Sequence, residues 1–306
     1  MRAILSAGRV APGSCDRHDP ATRCVFLHRR LSTELRPDLQ PERQPELRLA
    51  ALEALSVAEP GAKCAAVQSL CSAPPPLDAR VKLTEPPGIP GRPLRPALVP
   101  PSQVPWRAAD KREGRAALLH ALAHIEFNAI NLALDALWRF PDLPSDYYAD
   151  WLRVAGEEAK HFGLLLGRLA EHGHAYGDFD AHDGLWEMAR ATQDDVLARM
   201  ALVPRTLEAR GLDASPAVRA KFARAGDGAS AAVLDVILRD EIGHVAVGNR
   251  WFRHLCAERG LAPARAYEEL ARLHRAPRLR GPFNVEARLA AGFLPSEIEG
   301  LLESAR

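Results

Sequence analysis

Two spacings in the second half of the chain bring carboxylates and imidazoles into register. Glu126 is followed 32 positions later by Glu158, with His161 three further on; Glu208 is followed 33 positions later by Glu241, with His244 three further on. On an α-helix, residues i and i+3 share a face, so each ExxH unit aims a carboxylate and an imidazole at one point. Two lone glutamates and two ExxH units on four helices make the donor set of a dinuclear metal centre. One ExxH alone carries no weight, because roughly one arises by chance in a chain of this composition. Glu171 and His174 are such a match, at a helix end beside Gly173 and without a partner glutamate.

Four ionised carboxylates inside an apolar core repel one another and each costs several kcal/mol to bury. Two divalent cations balance the four charges, and neutral imidazoles complete each shell. Carboxylates can bridge two metals and shift as iron changes oxidation state, and one histidine per metal leaves positions for O2. The expected cofactor is therefore two Fe ions, with Mn/Fe as the alternative. Glu157 and Asp240, each preceding an ExxH glutamate, are placed to accept the ring N–H of the histidine on the opposite helix.

Four long apolar-periodic patterns must hold these residues, and no segment reads as a strand, so the class is all-α. The first helix runs from about Lys111 to Phe140, stopped by Pro141; the second from a cap at Ser145 or Asp146 to near Gly173. The third runs from about Leu185 to Arg210, closed by Gly211, and the fourth from about Gly228 to Arg259. Glu126 and Glu158 lie at matching depths. Glu208 meets Glu241 only if residues 212–227 continue upward before the chain turns back, which a short helix from Pro216 to Ala225 is expected to do. His120 and His124 point away from Glu126 and read as outer-shell or surface residues. Pro204, one turn before Glu208, reads as a kink, and Tyr147, Tyr148 and Tyr176 are redox or pocket candidates.

The remainder divides by composition. Residues 1–28 lack periodicity and read as a disordered lead. Residues 29–73 hold two short helices, with Glu59-Pro60-Gly61 as the turn between them and Cys64 and Cys71 facing the core. Residues 74–110 form a strap, since 11 of the 25 prolines fall between 74 and 105; its recurring apolar residues, from Leu77 through Leu94 and Leu98 to Val99, imply docking. The four-helix body spans 111–260 and a helical tail 261–306. Five cysteines without a CxxC fit a reducing cytoplasm. No stretch of 18 apolar residues occurs, so no membrane span is expected. Charge is mildly basic before the body and mildly acidic within it, which gives a nucleic-acid contact little support.

The runs HALAHIEFNAINLALDALWRF, DWLRVAGEEAKHF, YGDFDAHDGLWEMA, DVLARMALVPRTLEARGLD, RDEIGHVAVGNRWF and RGPFNVEARLAAGF resemble a bacterial family of ferritin-like proteins defined as a domain of unknown function. The resemblance covers about residues 45–300. It implies a ferritin-like four-helix bundle with Glu126, Glu158, His161, Glu208, Glu241 and His244 as metal ligands. Through the ligand pattern the chain is distantly similar to the di-iron tRNA hydroxylases.

The expected function is an O2-activating oxidoreductase, a hydroxylase or oxidase of an organic or modified-nucleoside substrate, served by an external electron donor. The alternative is a ferroxidase or iron-storage subunit, which needs little beyond the bundle. The absence of a tetracysteine iron site argues against rubrerythrin-like electron transfer.

Overall fold

A computed structural model describes residues 46–105 and 110–304. The expected disordered lead at 1–28, with Cys15 and Cys24, lies outside the described residues. The described chain is all-α: α1 (Leu47–Ser56), α2 (Pro60–Ser72), α3 (Arg112–Arg139), α4 (Ser145–Glu171), α5 (Gly184–Ala191), α6 (Val196–Leu202), a π-helical turn (Val203–Glu208), α7 (Ala209–Arg224), α8 (Gly228–Glu258), α9 (Pro263–Leu273), α10 (Val285–Ala290) and α11 (Pro295–Ser304). No strand forms among the described residues; one isolated parallel bridge joins Leu98 to Ala181.

Helix α3 is the centre. It packs against α1, α4 and α5, so it is buried almost all round from Ala123 to Trp138; that stretch is mostly apolar, with His124, Glu126, Asn128, Asn131 and Asp135 as its buried polar residues. Length and composition would let α3 cross a membrane, but 72% of its most apolar window is covered by the rest of the protein. Helix α8 packs against α4, α6, the π turn and α7, and four helical segments thereby converge on the ExxH residues.

The third helical pattern is not the single helix expected from 185 to 210. It breaks after α5, where Thr192 turns its hydroxyl back onto the Met188 carbonyl at 2.8 Å and Asp195 starts α6 by accepting from the Leu197 N–H at 3.0 Å. Pro204 does more than kink it, because the chain widens into the π turn ending at Glu208. There the Thr206 hydroxyl bonds the Ala201 carbonyl at 2.8 Å, and α8 approaches so closely that a Cβ on Gly248 would lie 2.5 Å from the Pro204 Cβ. Nor does Gly211 end the helix: α7 continues through it to Arg224 with Pro216 inside. Proline lacks the N–H that would reach the Leu212 carbonyl, and the Asn284 amide of the C-terminal tail bonds that carbonyl instead at 3.2 Å.

Three smaller expectations change. Glu59-Pro60-Gly61 is the start of α2, with Glu59 accepting from the Gly61 and Ala62 amides and Pro60 at the first helical position. Pro144, not Ser145 or Asp146, precedes α4, without a side-chain cap. Cys71 is exposed in the last turn of α2, while Cys64 is half-buried against the core.

Residues 74–105 carry no α-helix and run largely extended, with turns at 79–80 and 87–88 and a 3-10 turn at Pro101–Gln103. Backbone bonds tie them down at Pro76 to Leu47, Gly91 to Leu55, and Ala97 and Val99 to Ala181. Leu77, Leu83 and Ile89 pack on the core, whereas Leu94 and Leu98 face solvent. Gly91 lies against α1 with no room for a side chain, since a Cβ would come 2.2 Å from the Ser56 carbonyl oxygen. Fully buried Lys63 stitches these layers by donating to the Leu55 and Gly91 carbonyls at 3.1 and 2.9 Å and to Asn131 of α3. Burial pushes its pKa down to about 7.

The C-terminal helices clamp the π turn. Buried Arg205 donates to Asn249 and Glu297 and lies over the rings of Phe252, Tyr267 and Phe293.

Candidate metal centre

Helix α3 supplies Glu126, α4 supplies Glu158 and His161, the π turn ends at Glu208, and α8 supplies Glu241 and His244. One donor atom from each of Glu126, Glu158, His161 and Glu241 lies within 4.8 Å of the other three. His244 joins them, with its Nδ1 2.8 Å from Glu158 Oε1 and 3.5 Å from Glu241 Oε1. His161 Nδ1 lies 3.4 Å from both Glu126 Oε2 and Glu158 Oε2, and the two imidazole centroids are 5.7 Å apart. Glu208 stands outside the tight group, on the wall of an adjoining cavity that Glu126 and Glu241 also line. The residue is partly exposed, but its Oε2 is buried.

The outer faces of the histidines are held symmetrically. His161 Nε2 on α4 lies 3.1 Å from Asp240 Oδ2 on α8, and His244 Nε2 on α8 lies 2.7 Å from Glu157 Oε2 on α4. Each carboxylate accepts from the Nε2–H and leaves Nδ1 facing inward. Asp240 is further held by Lys160 at 2.5 Å and Arg239 at 2.9 Å, and Arg153 lies 3.1 Å from Glu157.

The inward atoms lack partners. Glu126 Oε2, both Glu158 oxygens, Glu208 Oε2 and the Nδ1 atoms of His161 and His244 are buried without a hydrogen bond; their close approaches lack hydrogen-bond geometry. Buried polar atoms are almost always satisfied, and six orphans on one cluster are what a cation between them would satisfy. The electrostatics agree. Burial, reinforced by the charge of Glu158, holds Glu126 well above the usual carboxylate pKa. Burial and the charges of Glu241 and Glu158 do the same for Glu208. Burial disfavours imidazolium at His161, yet the Glu126 and Glu158 carboxylates outweigh it and lift its pKa to about 10. Burial opposes the charge of His244 likewise, and Glu158 and Glu157 raise its pKa well above the ordinary value. Without metal, protons on the histidines stand in for the missing positive charge.

The profile of a family described as "Protein of unknown function (DUF455)" matches residues 56–299. The chain belongs to this family. An "Uncharacterized protein" of Haemophilus influenzae is 46% identical over 263 residues, covering 82% of this chain and 91% of that protein. No solved structure matches.

In this family member the cluster opens onto a cavity of about 340 Å3 between α3, α7 and α8, walled by Leu122, Ile125, Ala129, Leu132, Val218 and Leu234 and roofed by residues 180–185. The sequence reading missed this roof. His120 and His124, expected as outer-shell or surface groups, are buried and hydrogen-bond the segment 176–182 that leads into the roof rather than the Glu/His cluster. The Gly177 N–H donates to His120 Nε2 at 2.9 Å, and the Tyr176 hydroxyl donates to His124 Nδ1 at 2.8 Å while His124 Nε2 donates to the His182 carbonyl at 3.1 Å. Burial drops both histidines to a pKa of about 4, so they are neutral. Their i,i+4 spacing on an apolar helix, opposite a loop rich in His, Gly and Asp, was the available signal. Tyr147 and Tyr148 are fully buried and donate to the Ala136 and Phe140 carbonyls, away from the cluster.

Asp240→Asn is expected to lower metal affinity 10–100-fold with the fold intact, the usual cost of losing an outer partner of a ligating histidine. Competition against a calibrated chelator measures this, and unchanged affinity would separate Asp240 from the site.

Proposed function

We propose that this protein is a ferritin-like four-helix-bundle oxidoreductase in which Glu126, Glu158, His161, Glu208, Glu241 and His244 hold two Fe ions, or Mn and Fe. The reading is an O2-dependent hydroxylase or oxidase of an organic or modified-nucleoside substrate, working in the cytoplasm with an external electron donor. The observation that carries it is the set of orphaned inward donors, with both histidines anchored from outside by carboxylates, beside an apolar cavity large enough for a small ligand. A bound metal pair would supply O2 activation. The protein's own residues do the rest: Asp240 and Glu157 orient the imidazoles, α3 and α8 exclude water, and the cavity presents a substrate to the edge formed by Glu126, Glu208 and Glu241.

The alternative is iron handling as a ferroxidase or storage subunit. The packing of α1 on α3, α2 on α4, and α9 and α10 on α8 favours the enzyme, because these covers occupy helix faces that a shell subunit would use for its neighbours. Protein loaded anaerobically with excess Fe(II) and then exposed to O2 is expected to keep no more than about two irons per chain and to change its visible absorption as it does so. Tens of irons per chain in a large closed shell would replace the enzyme reading with storage.

A further inference from the structure

The cavity beside the metal cluster opens past two exposed residues of α7, Arg210 and Ala214, and the same two residues line a second, shallower depression of about 560 Å3. Its other walls are Asp213 and Ala217 of α7 and the segment Arg278–Pro282 between α9 and α10. Three arginines, Arg210, Arg278 and Arg280, therefore surround one hollow. The acid in that hollow is already committed: Asp213 accepts from Arg288 Nε at 2.9 Å and Nη2 at 2.6 Å. Arg278 donates to the Ser304 carbonyl at 2.6 Å, while Arg210 and Arg280 have no partner among the described residues. Guanidinium groups gathered from two elements around a hollow whose one carboxylate is already paired with Arg288 repel one another, and a further carboxylate or phosphate offers them bidentate bonds.

We propose that the two hollows form one binding site for a small amphiphilic anion, with its apolar body in the cavity against Leu122, Ile125 and Leu234 and its carboxylate or phosphate held by Arg210, Arg278 and Arg280. This rests on the oxidoreductase reading and names the class of its substrate. The anionic group fixes which end of the molecule faces outward, so the apolar end is the part delivered to Glu126, Glu208 and Glu241. A cavity of about 340 Å3 takes a compact or singly branched chain, within the lower range of small-ligand pockets. The Arg-lined hollow is one patch at the cavity mouth, which suits a single anionic group better than a polyanion backbone.

The test is calorimetric titration of the full chain, metal-loaded and metal-free, with octanoate, octyl phosphate, 1-octanol and inorganic phosphate, for the wild type and for Arg210→Gln/Arg280→Gln. Both octyl anions are expected to bind the loaded wild type at least about tenfold more tightly than octanol or inorganic phosphate. The double variant is expected to lose that advantage while keeping its octanol affinity. Equal binding of octanol and the anions, or undiminished anion binding by the variant, would overturn the proposal. So would a short RNA that binds through the same arginines where the octyl anions do not. Arginine-dependent anion binding by a chain that takes up no metal would sink the oxidoreductase reading alone and leave the anion site standing.

Discussion

Replacing Glu158 by Ala is expected to abolish stoichiometric metal uptake while leaving far-ultraviolet circular dichroism close to that of the wild type. Glu158 is the hub of the cluster: its Oε2 lies 3.4 Å from His161 Nδ1, its Oε1 lies 2.8 Å from His244 Nδ1, and neither oxygen has a hydrogen bond. Among the described residues no other carboxylate comes as near to both imidazoles, since Glu241 lies 3.5 Å from His244 but pairs with His161 only within the looser 4.8 Å group. Loss of an outer carboxylate costs 10–100-fold in affinity, and loss of the shared inner one should exceed that, leaving less than about a tenth of the wild-type metal content at micromolar metal. Uptake also displaces protons, since burial is outweighed by Glu126 and Glu158 in lifting His161 to a pKa of about 10; wild-type affinity should therefore rise with pH across neutrality. Two metals retained in the variant would refute the assignment.

The largest stability effect is expected at Asp135, one of the acids the sequence reading passed over. Its side chain is fully buried on α3, where it accepts from Arg199 of α6 at 2.5 Å, from Arg139 at 2.8–3.0 Å and from the Trp138 indole at 3.1 Å. Arg199 is itself buried, with its remaining donors on the Thr192 hydroxyl and the Ala189 carbonyl and its guanidinium 5.3 Å from the Phe140 ring. Asp135→Ala would strand that guanidinium without its counter-charge, at a cost of about 3–5 kcal/mol, a large share of the net stability of an ordinary domain. Urea melts followed by circular dichroism would measure it. A loss below about 1 kcal/mol would mean that α6 relaxes enough to bring Arg199 to solvent. The pair also ties α6 to α3 just before the π turn that carries Glu208, so the variant should bind metal less tightly even where it remains folded.

The ExxH units and the lone Glu126 were legible because their signal is local: three residues on a helix always share a face, and an apolar periodic run sets that face inward. The outer partners were legible for the same reason, because Asp240 and Glu157 each immediately precede an ExxH glutamate and so face the histidine of the unit on the other helix. The helix end marked by Pro141 after α3 also followed from neighbouring residues.

Where the sequence reading failed, distant residues had decided. Gly211 and Pro216 are local stop signals, yet α7 runs through both because Asn284, over 70 positions away, bonds the carbonyl that Pro216 leaves open. The π turn at Pro204 depends on Gly248 of α8 admitting the proline ring and on Arg205 being enclosed by the C-terminal aromatics. Glu208 reaches the cavity wall only through that turn. The cavity, its roof on His120 and His124, and the arginines at its mouth come from separate elements all along the chain, from Leu122 to Arg280, and no periodicity encodes such meetings. Sequence by itself determined which residues carry carboxylate and imidazole donors in register and which face of each helix they occupy, since backbone geometry is set by neighbours. Tertiary structure decided their depth, their outer partners' reach and the space beside them, since those depend on which surfaces pack.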